Sequence, residues 1–517
     1  MDTEKHQQPT QSSSAQHDSG EQRKTHCGRA RAIAPMAIGD VEKANREMLQ
    51  KVDECNRRMD CTDFRLNALL RGMVLFAGQV RPEVKQAIKE AALSARYYGG
   101  NSRDYPMFYS SENHHMNWAV AEYLAAQLFP DEVFRYDNRT SRQHLDRSRF
   151  LIANWIDSRA RWGYDEWNSC CYMGINLLSL LNLVDLAAEP AIRQLATDAT
   201  TKLLADLAAD SAYGGVWGAQ ARLYEPQCFE RSAQNVAPAL TLLLGAGDPA
   251  DLPARAIWND EIATTSYRAP DWLCRLACDL DTPLVNLERH RNDGDIYYKA
   301  KSRFWRPPFE LTNESCRQKL CPEALTETPI RTERRAEYIV SAAIFAEGDN
   351  ISIWARQAMV WQSCLRGRLA IFTTQPAAGA ADHRTPYWAG TAVAPRCCLQ
   401  DGVLAAVYHS QSGDTRSGDF THAYFPTGQF DEWSRQGDWF FGRCQDAFVG
   451  LLGPQGSSLT GEGQWAGKEI KAPGRTAASI PFSPDAARRR STSTATARPW
   501  RSIPEASTSA CLTPMAP

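Results

Sequence analysis

Apolar residues recur at spacings of three and four over most of residues 41–282, then in short runs of a different kind. DVEKANREMLQKVDECNRRMD opens the first region with charged helix formers. LLRGMVLFAGQV and PEVKQAIKEAALSARYYG follow, the second with Pro82 at a helix start. In SSENHHMNWAVAEYLAAQLFP, Trp118, Ala121, Leu124, Ala125 and Leu128 make one apolar stripe. DRSRFLIANWIDSRARWG and PAIRQLATDATTKLLADLAAD each have one apolar face. GINLLSLLNLVDLA is apolar nearly all round, which predicts a buried inner helix. SAQNVAPALTLLLGAG closes the series. Inner helices alternating with one-faced helices predict a two-layered (α/α) toroid of helical hairpins over 41–282. No fixed sequence period supports a solenoid instead.

From 283 the pattern turns to β. AEYIVSAAIFA, ISIWARQAMVW, RLAIFTTQ, GVLAAVYHSQ, THAYFP, DWFFGRCQ and AFVGLLGP are short runs separated by Gly, Pro and Asp. They predict an antiparallel β-sandwich over 283–472. An α domain followed by a β domain leaves a cleft between them, a common place for a ligand. Residues 1–40 are polar and aperiodic and are expected to form a disordered arm. Residues 473–517 are rich in Ala, Ser, Thr, Pro and Arg without alternation, and read as a disordered or aberrant tail.

Composition narrows the classes. A chain of 517 residues is too long for one ordinary core. With 43% apolar and 23% charged residues it fits a soluble globular protein. The net charge of −2 gives no reason to expect a nucleic-acid or membrane partner. No apolar run reaches the roughly 18 residues of a membrane span. The N-terminus has no apolar signal core, so the cytoplasm is the expected compartment. The 15 cysteines show neither CxxC nor zinc-ribbon spacing. Cys170-Cys171 and Cys397-Cys398 therefore read as small buried residues, and no metal or cofactor is expected.

Chemistry-bearing residues gather at the mouths of helices. Glu112, Asn113, His114 and His115 stand in the first turn of one, where free N–H groups and the macrodipole favour an anion. The same residues also read as a cap with surface histidines. WGYDEWNSCCYMG, with Asp165, Glu166 and Tyr172, precedes the most buried helix. GGVWGAQARLYE supplies Arg222 and Tyr224. The β region adds HRTPYWAG (His383, Arg384, Tyr387, Trp388) and FTHAYFP (His422). Arg103, Arg222 and Arg384 are expected to make the cleft locally positive.

The order of domains and these motifs resemble the heparinase II/III-like and alginate-lyase type of polysaccharide lyase, over about 90–470. In that family an Asn-His pair opens an inner helix, often followed by an aromatic; Asn113-His114 and Trp118 match. A Tyr after a Glu, ahead of a Leu-rich inner helix, is matched by Glu166 and Tyr172. The family's NNH reads ENHH here, and Asn168-Ser169 stand where an Arg is expected. The resemblance implies β-elimination on a polysaccharide containing uronic acid, with Asn113, His114 and Tyr172 catalytic. Glu112, His115, Trp118, Glu166, Arg222, Tyr224, Tyr387, Trp388 and His422 would bind substrate, with His422 or Tyr387 covering the cleft. The residue types suit the reaction. Asn113 neutralises the substrate carboxylate, neutral His114 abstracts the C5 proton, and Tyr172 protonates the leaving oxygen. Two other readings stay open: a glycoside hydrolase using Glu112 with Asp165 or Glu166, and a non-catalytic carbohydrate-binding protein.

Overall fold

The computed structural model describes residues 34–98, 109, 111–252, 259–290, 328–344, 358–376, 387–391, 394–409, 420–473 and 476–482. After a helical turn at Ala34–Ala37 come α1 (Val41–Asn56), α2 (Thr62–Leu75), α3 (Pro82–Ser94), α4 (Glu112–Leu128), α5 (Ser141–Trp162), α6 (Tyr172–Leu186) and α7 (Pro190–Ala209). Shorter helices follow: α8 (Glu225–Phe229), α9 (Ala237–Leu244), α10 (Asn259–Thr264) and α11 (Asp271–Cys278). The helical turn at 34–37 lies inside the arm expected to be disordered; residues 1–33 of that arm lie outside the described residues.

The order of burial follows the sequence pattern. α6 is buried from Tyr172 to Val184, and α4 from Glu112 to Ala126 apart from His115. These two helices pack on each other and on α2, while α5 covers α4 and α7 covers α6. α5 is amphipathic and starts with a capping box. Gln143 N donates to Thr140 Oγ1 at 3.4 Å, and Thr140 N donates to Gln143 Oε1 at 3.0 Å. The helical stretch is not unbroken. Val133–Phe134 pairs with Arg139–Thr140 across a turn in which Asn138 takes a left-handed conformation, φ 56°. A second ribbon joins Ser211–Ala212 to Gly215–Val216.

The chain turns to strands at Leu284. The strands are β1 (Leu284–His290), β2 (Thr328–Arg334), β3 (Tyr338–Ala343), β4 (Trp361–Leu365), β5 (Leu369–Thr374), β6 (Arg396–Gln400), β7 (Val403–His409) and β8 (Phe420–Tyr424). They continue as β9 (Glu432–Gln436), β10 (Trp439–Cys444), β11 (Ala447–Leu452), β12 (Ser458–Leu459), β13 (Glu469–Pro473) and β14 (Thr476–Phe482). An eight-stranded antiparallel sheet has the order β12-β13-β8-β5-β4-β3-β2-β1, and a six-stranded one the order β6-β7-β14-β11-β10-β9. Ile330, Val340 and Ile371 of the larger sheet share a hydrophobic cluster with Leu399, Leu404, Phe440 and Leu451 of the smaller. The polar ends of its aromatics are satisfied: Trp361 Nε1 donates to Thr373 Oγ1 at 2.7 Å, and Tyr408 Oη to the Thr373 carbonyl at 2.8 Å.

Strand structure extends past 473, where the tail was expected to start. β14 lies between β7 and β11 and accounts for 476–482; residues 483–517 lie outside the described residues. Its sequence, TAASIPF, lacks the large β-branched and aromatic content that marks a strand.

Two polar seams tie the helical part to the larger sheet. Gln220 and Met359 exchange backbone hydrogen bonds, both at 2.8 Å. Arg334 on β2, 2% exposed, donates to the carbonyls of Ala208 and Ser211 at 2.9 Å and Leu276 at 2.7 Å. The C-terminal ends of α7 and α11 thus gain the cation that their unpaired carbonyls favour. Among the described residues, no helix is long and apolar enough to cross a membrane.

Candidate active site

The site is built around the first turns of α2, α4 and α6. Ser111 caps α4 by accepting from His114 N at 3.5 Å, which places Glu112, Asn113 and His114 at the helix start. His114 stacks on Phe64 of α2, with ring centroids 4.9 Å apart and planes 11° apart. Its Nδ1 lies 2.8 Å from Asp63 Oδ2. Burial alone would lower the imidazole pKa. The charge and hydrogen bond of Asp63 outweigh burial and raise it, and Arg222 works in the opposite sense.

The loop 163–171 brings the second half of the site. Gly163 closes α5 at φ 72°. The backbone N–H of Tyr164 donates to His290 Nδ1 at 3.0 Å. Nε2 of the same ring therefore carries the proton, and it lies 2.8 Å from Glu288 Oε2 on β1. Asn168, left-handed at φ 49°, donates to Asp210 and, at 2.9 Å, to Glu288 Oε2. So the loop is pinned to the sheet at both of its polar ends.

The two motifs meet directly. Asn113 Nδ2 donates to Glu166 Oε2 at 2.8 Å, and Arg222 Nη1 donates to Glu166 Oε1 at 2.7 Å. The Arg222 guanidinium lies over the Tyr172 ring at 3.9 Å from its centroid. Tyr172 Oη is 2.7 Å from Tyr224 Oη, and Tyr224 is 42% exposed. Phe64 and Tyr172 belong to one small apolar cluster with Cys171, Ile175 and Leu178. His114 and Tyr172 are thus linked through Phe64 on one side and through Asn113, Glu166 and Arg222 on the other. Burial holds the Tyr172 phenol well above its ordinary pKa, against the pull of Arg222. Burial would lower the Arg222 pKa, but Tyr172 and Glu166 raise it, so the guanidinium stays charged.

Several expected binding residues sit elsewhere. Glu112 is 4% exposed and its carboxylate is occupied: Arg159 and Asp165 N donate to Oε2, and Asn176 Nδ2 to Oε1 at 2.9 Å. Burial and the neighbouring Asp165 and Glu166 raise its pKa to about 8, with Arg159 opposing. Trp118 is 3% exposed and stacks on Tyr109 at 5.0 Å, a core contact. His115 is half-buried on α4. Asn113 itself is fully buried, and its Oδ1 has no hydrogen-bond partner among the described residues.

The β-region residues expected to cover the cleft pack in an aromatic cluster continuous with the main hydrophobic core. His422 is 1% exposed, stacked on Trp388 at 3.8 Å and held between Thr374 Oγ1 at 2.7 Å and Glu469 Oε1 at 2.8 Å. Burial lowers its pKa, so it stays neutral. Trp388 is fully buried, and Tyr387 donates to Glu469 Oε1 at 2.5 Å. Phe372 on β5, Tyr424 on β8 and Trp388 pack together in this cluster, which a His-Tyr-Trp composition alone does not reveal. α8 joins the two regions: it begins beside Tyr224, and its Phe229 touches Trp388 edge-on at 6.2 Å.

Arg103, His383 and Arg384 lie outside the described residues. Among the described residues, Arg159 pairs with Glu112 and Asp165, and Arg222 pairs with Glu166. Sequence reasoning missed Asp63, Asp60 and Cys61. Asp63 and Cys61 lie beside a helix start where an acid and a thiol look like a cap and a core residue. Asp60, Cys61 and His114 offer carboxylate, thiol and imidazole to one point, which is a metal-ligand combination.

No protein-family model matches the chain, and no curated protein matches it in sequence. Among solved structures, heparinase III aligns at TM-score 0.37 and 10% identity, over 81% of this chain and 68% of that one. The heparan sulfate lyase HepC mutant from Pedobacter heparinus aligns at TM-score 0.32 and 13% identity, over 88% of this chain and 72% of that one. Neither score bears on the chemistry of the site.

Proposed function

We propose that this protein is a polysaccharide lyase-like enzyme, cleaving a uronic-acid-containing polysaccharide by β-elimination from the mouth of an (α/α) toroid capped by a β-sandwich. The observation that carries the reading is the convergence of an Asp-paired imidazole and an Arg-backed phenol pair on one mouth. His114 removes the C5 proton, and Asp63 stabilises the imidazolium that forms. Tyr172 and the exposed Tyr224 share a hydrogen bond, so a proton given to the leaving oxygen is drawn from a phenol that burial keeps protonated. Arg222 supplies positive charge for the substrate carboxylate and for the phenolate left behind. Asn113 acts as a positioning residue: buried, it holds Glu166, and Glu166 holds Arg222. No cofactor enters this scheme.

The test is incubation of purified protein with alginate, heparan sulfate, hyaluronan and other uronate polymers, followed by ultraviolet absorbance of the conjugated double bond that elimination leaves. Rising absorbance is expected. One observation favours a hydrolase instead: the acid-rich mouth, with Glu112 raised to about 8, has the carboxylates hydrolysis needs. New reducing ends without absorbance would establish that reading. Both Glu112 oxygens are occupied by internal partners, which is why elimination is preferred.

A further inference from the structure

The turn between α1 and α2 brings two side chains that the proposed reaction does not use, Asp60 and Cys61, up to its base, His114. Asp60, Cys61 and His114 each contribute one ligand atom, and these atoms lie within 4.8 Å of one another. A tetrahedral zinc with bonds of about 2.0 to 2.3 Å holds its ligand atoms about 3.5 Å apart, so small side-chain rotations close the set. With His114 Nδ1 2.8 Å from Asp63 Oδ2, Nε2 is the nitrogen to assign to a metal. A carboxylate on the far nitrogen is the contact that orients a metal-bound histidine and raises its basicity.

The turn is held in place by its own bonds. Cys61 N donates to Asp60 Oδ1 at 3.0 Å, and Thr62 Oγ1 donates to the Met59 carbonyl at 2.5 Å. Arg65 donates to the Asp60 carbonyl and pairs with Glu54 at 2.6 Å. Cys61 is kept in the left-handed region at φ 61°. Asp60 and Cys61 are half-buried, and His114 is buried.

We propose that Asp60, Cys61 and His114 form a zinc site with a fourth position open to water. Thiolate with imidazole selects zinc over magnesium or calcium, which take oxygen ligands. Binding releases the thiol proton to solvent and takes up neutral imidazole. Zinc then occupies the nitrogen that would abstract the substrate proton, so metal binding and turnover exclude each other. The site itself stands independently of the lyase reading; only its inhibitory effect rests on that reading.

The experiment titrates metal-stripped, full-length protein with Co²⁺ and follows the thiolate-to-cobalt charge-transfer band in the near ultraviolet. A saturable band with one equivalent, displaced by Zn²⁺, is expected. Cys61→Ser removes the band, and Asp60→Asn weakens binding, both with unchanged circular dichroism. Asp63→Asn weakens binding about 10–100-fold through loss of the orienting contact. No saturable band, or an undiminished band in Cys61→Ser from another thiol such as exposed Cys278, overturns the site. On any polymer the protein cleaves, zinc is expected to inhibit the native protein and spare Cys61→Ser; equal zinc sensitivity overturns the inhibition. Cobalt binding without turnover on any polymer keeps the zinc site and sinks the lyase reading.

Discussion

At the scale of single residues, the proposal assigns each proton to a side chain. His114→Ala and Tyr172→Phe are each expected to lower turnover by about 10²–10⁴-fold, the usual loss on removing a general base or acid. Circular dichroism and thermal unfolding should show the fold retained. A pH profile tests the base more closely. Asp63 raises the His114 pKa above its ordinary value, and the base works only when neutral. The acidic limb of kcat/KM should therefore lie above the ordinary histidine range, and Asp63→Asn should move it to lower pH. A limb that stays put in Asp63→Asn would mean that another group governs it. The stability linkage has the matching sign: the His114–Asp63 contact stabilises fully below the unfolded imidazole pKa and is lost as pH rises through the higher folded value. Asn113-His114 and Tyr172 were legible as a site because polar groups crowded the starts of apolar helices. Asp63 was not, since an acid in a first helical turn is the ordinary N-terminal preference.

At the scale of elements, the reach of the second motif depends on how α5 ends and where β1 lies. A Cβ at Gly163 would meet His290 Nδ1 at 2.4 Å, and the residue sits at φ 72°. Gly163→Ala is expected to destabilise the protein by about 1–3 kcal/mol, from backbone strain of that size. It should also displace Tyr164. An unchanged melting temperature would contradict the tight junction described for this loop. The buried pair Arg159–Glu112 gives a second element-level outcome. Arg159→Met removes the cation and hydrogen-bond donor shared by Glu112 and Asp165, which should cost about 1–3 kcal/mol in denaturant unfolding. The helices α1 to α7 were legible from their period, because each buries a stripe or its whole surface. Strands β1 and β2 were not. LVNLERH and TPIRTER carry charges that look solvent-facing, yet Glu288, His290 and Arg334 point into the seam with the helical part. A polar interface between domains hides a strand from any reading that equates burial with apolarity.

At the scale of the whole molecule, helices come first and antiparallel sheets second, and the seam between them sets the mouth of the site. Arg334 is central to that seam. Arg334→Met keeps volume but takes the donor from the buried carbonyls of Ser211 and Leu276, each at a cost of about 1–3 kcal/mol, while Ala208 still accepts from Ser211 Oγ at 3.0 Å. The expected result is a clear loss of thermal stability; wild-type stability in that variant would mean that the seam does not hold the two parts together. At this scale His422 and Tyr387, expected over the cleft, pack with Trp388, Trp465 and Tyr424, rings that lie far apart in sequence. No single motif announces it. The most direct measurement of the central claim is ultraviolet absorbance during incubation with uronate polymers, run in parallel for the native protein and His114→Ala. The account predicts rising absorbance on at least one polymer for the native protein and little or none for His114→Ala. Equal rates in the two proteins, or sugar release without absorbance, would contradict it.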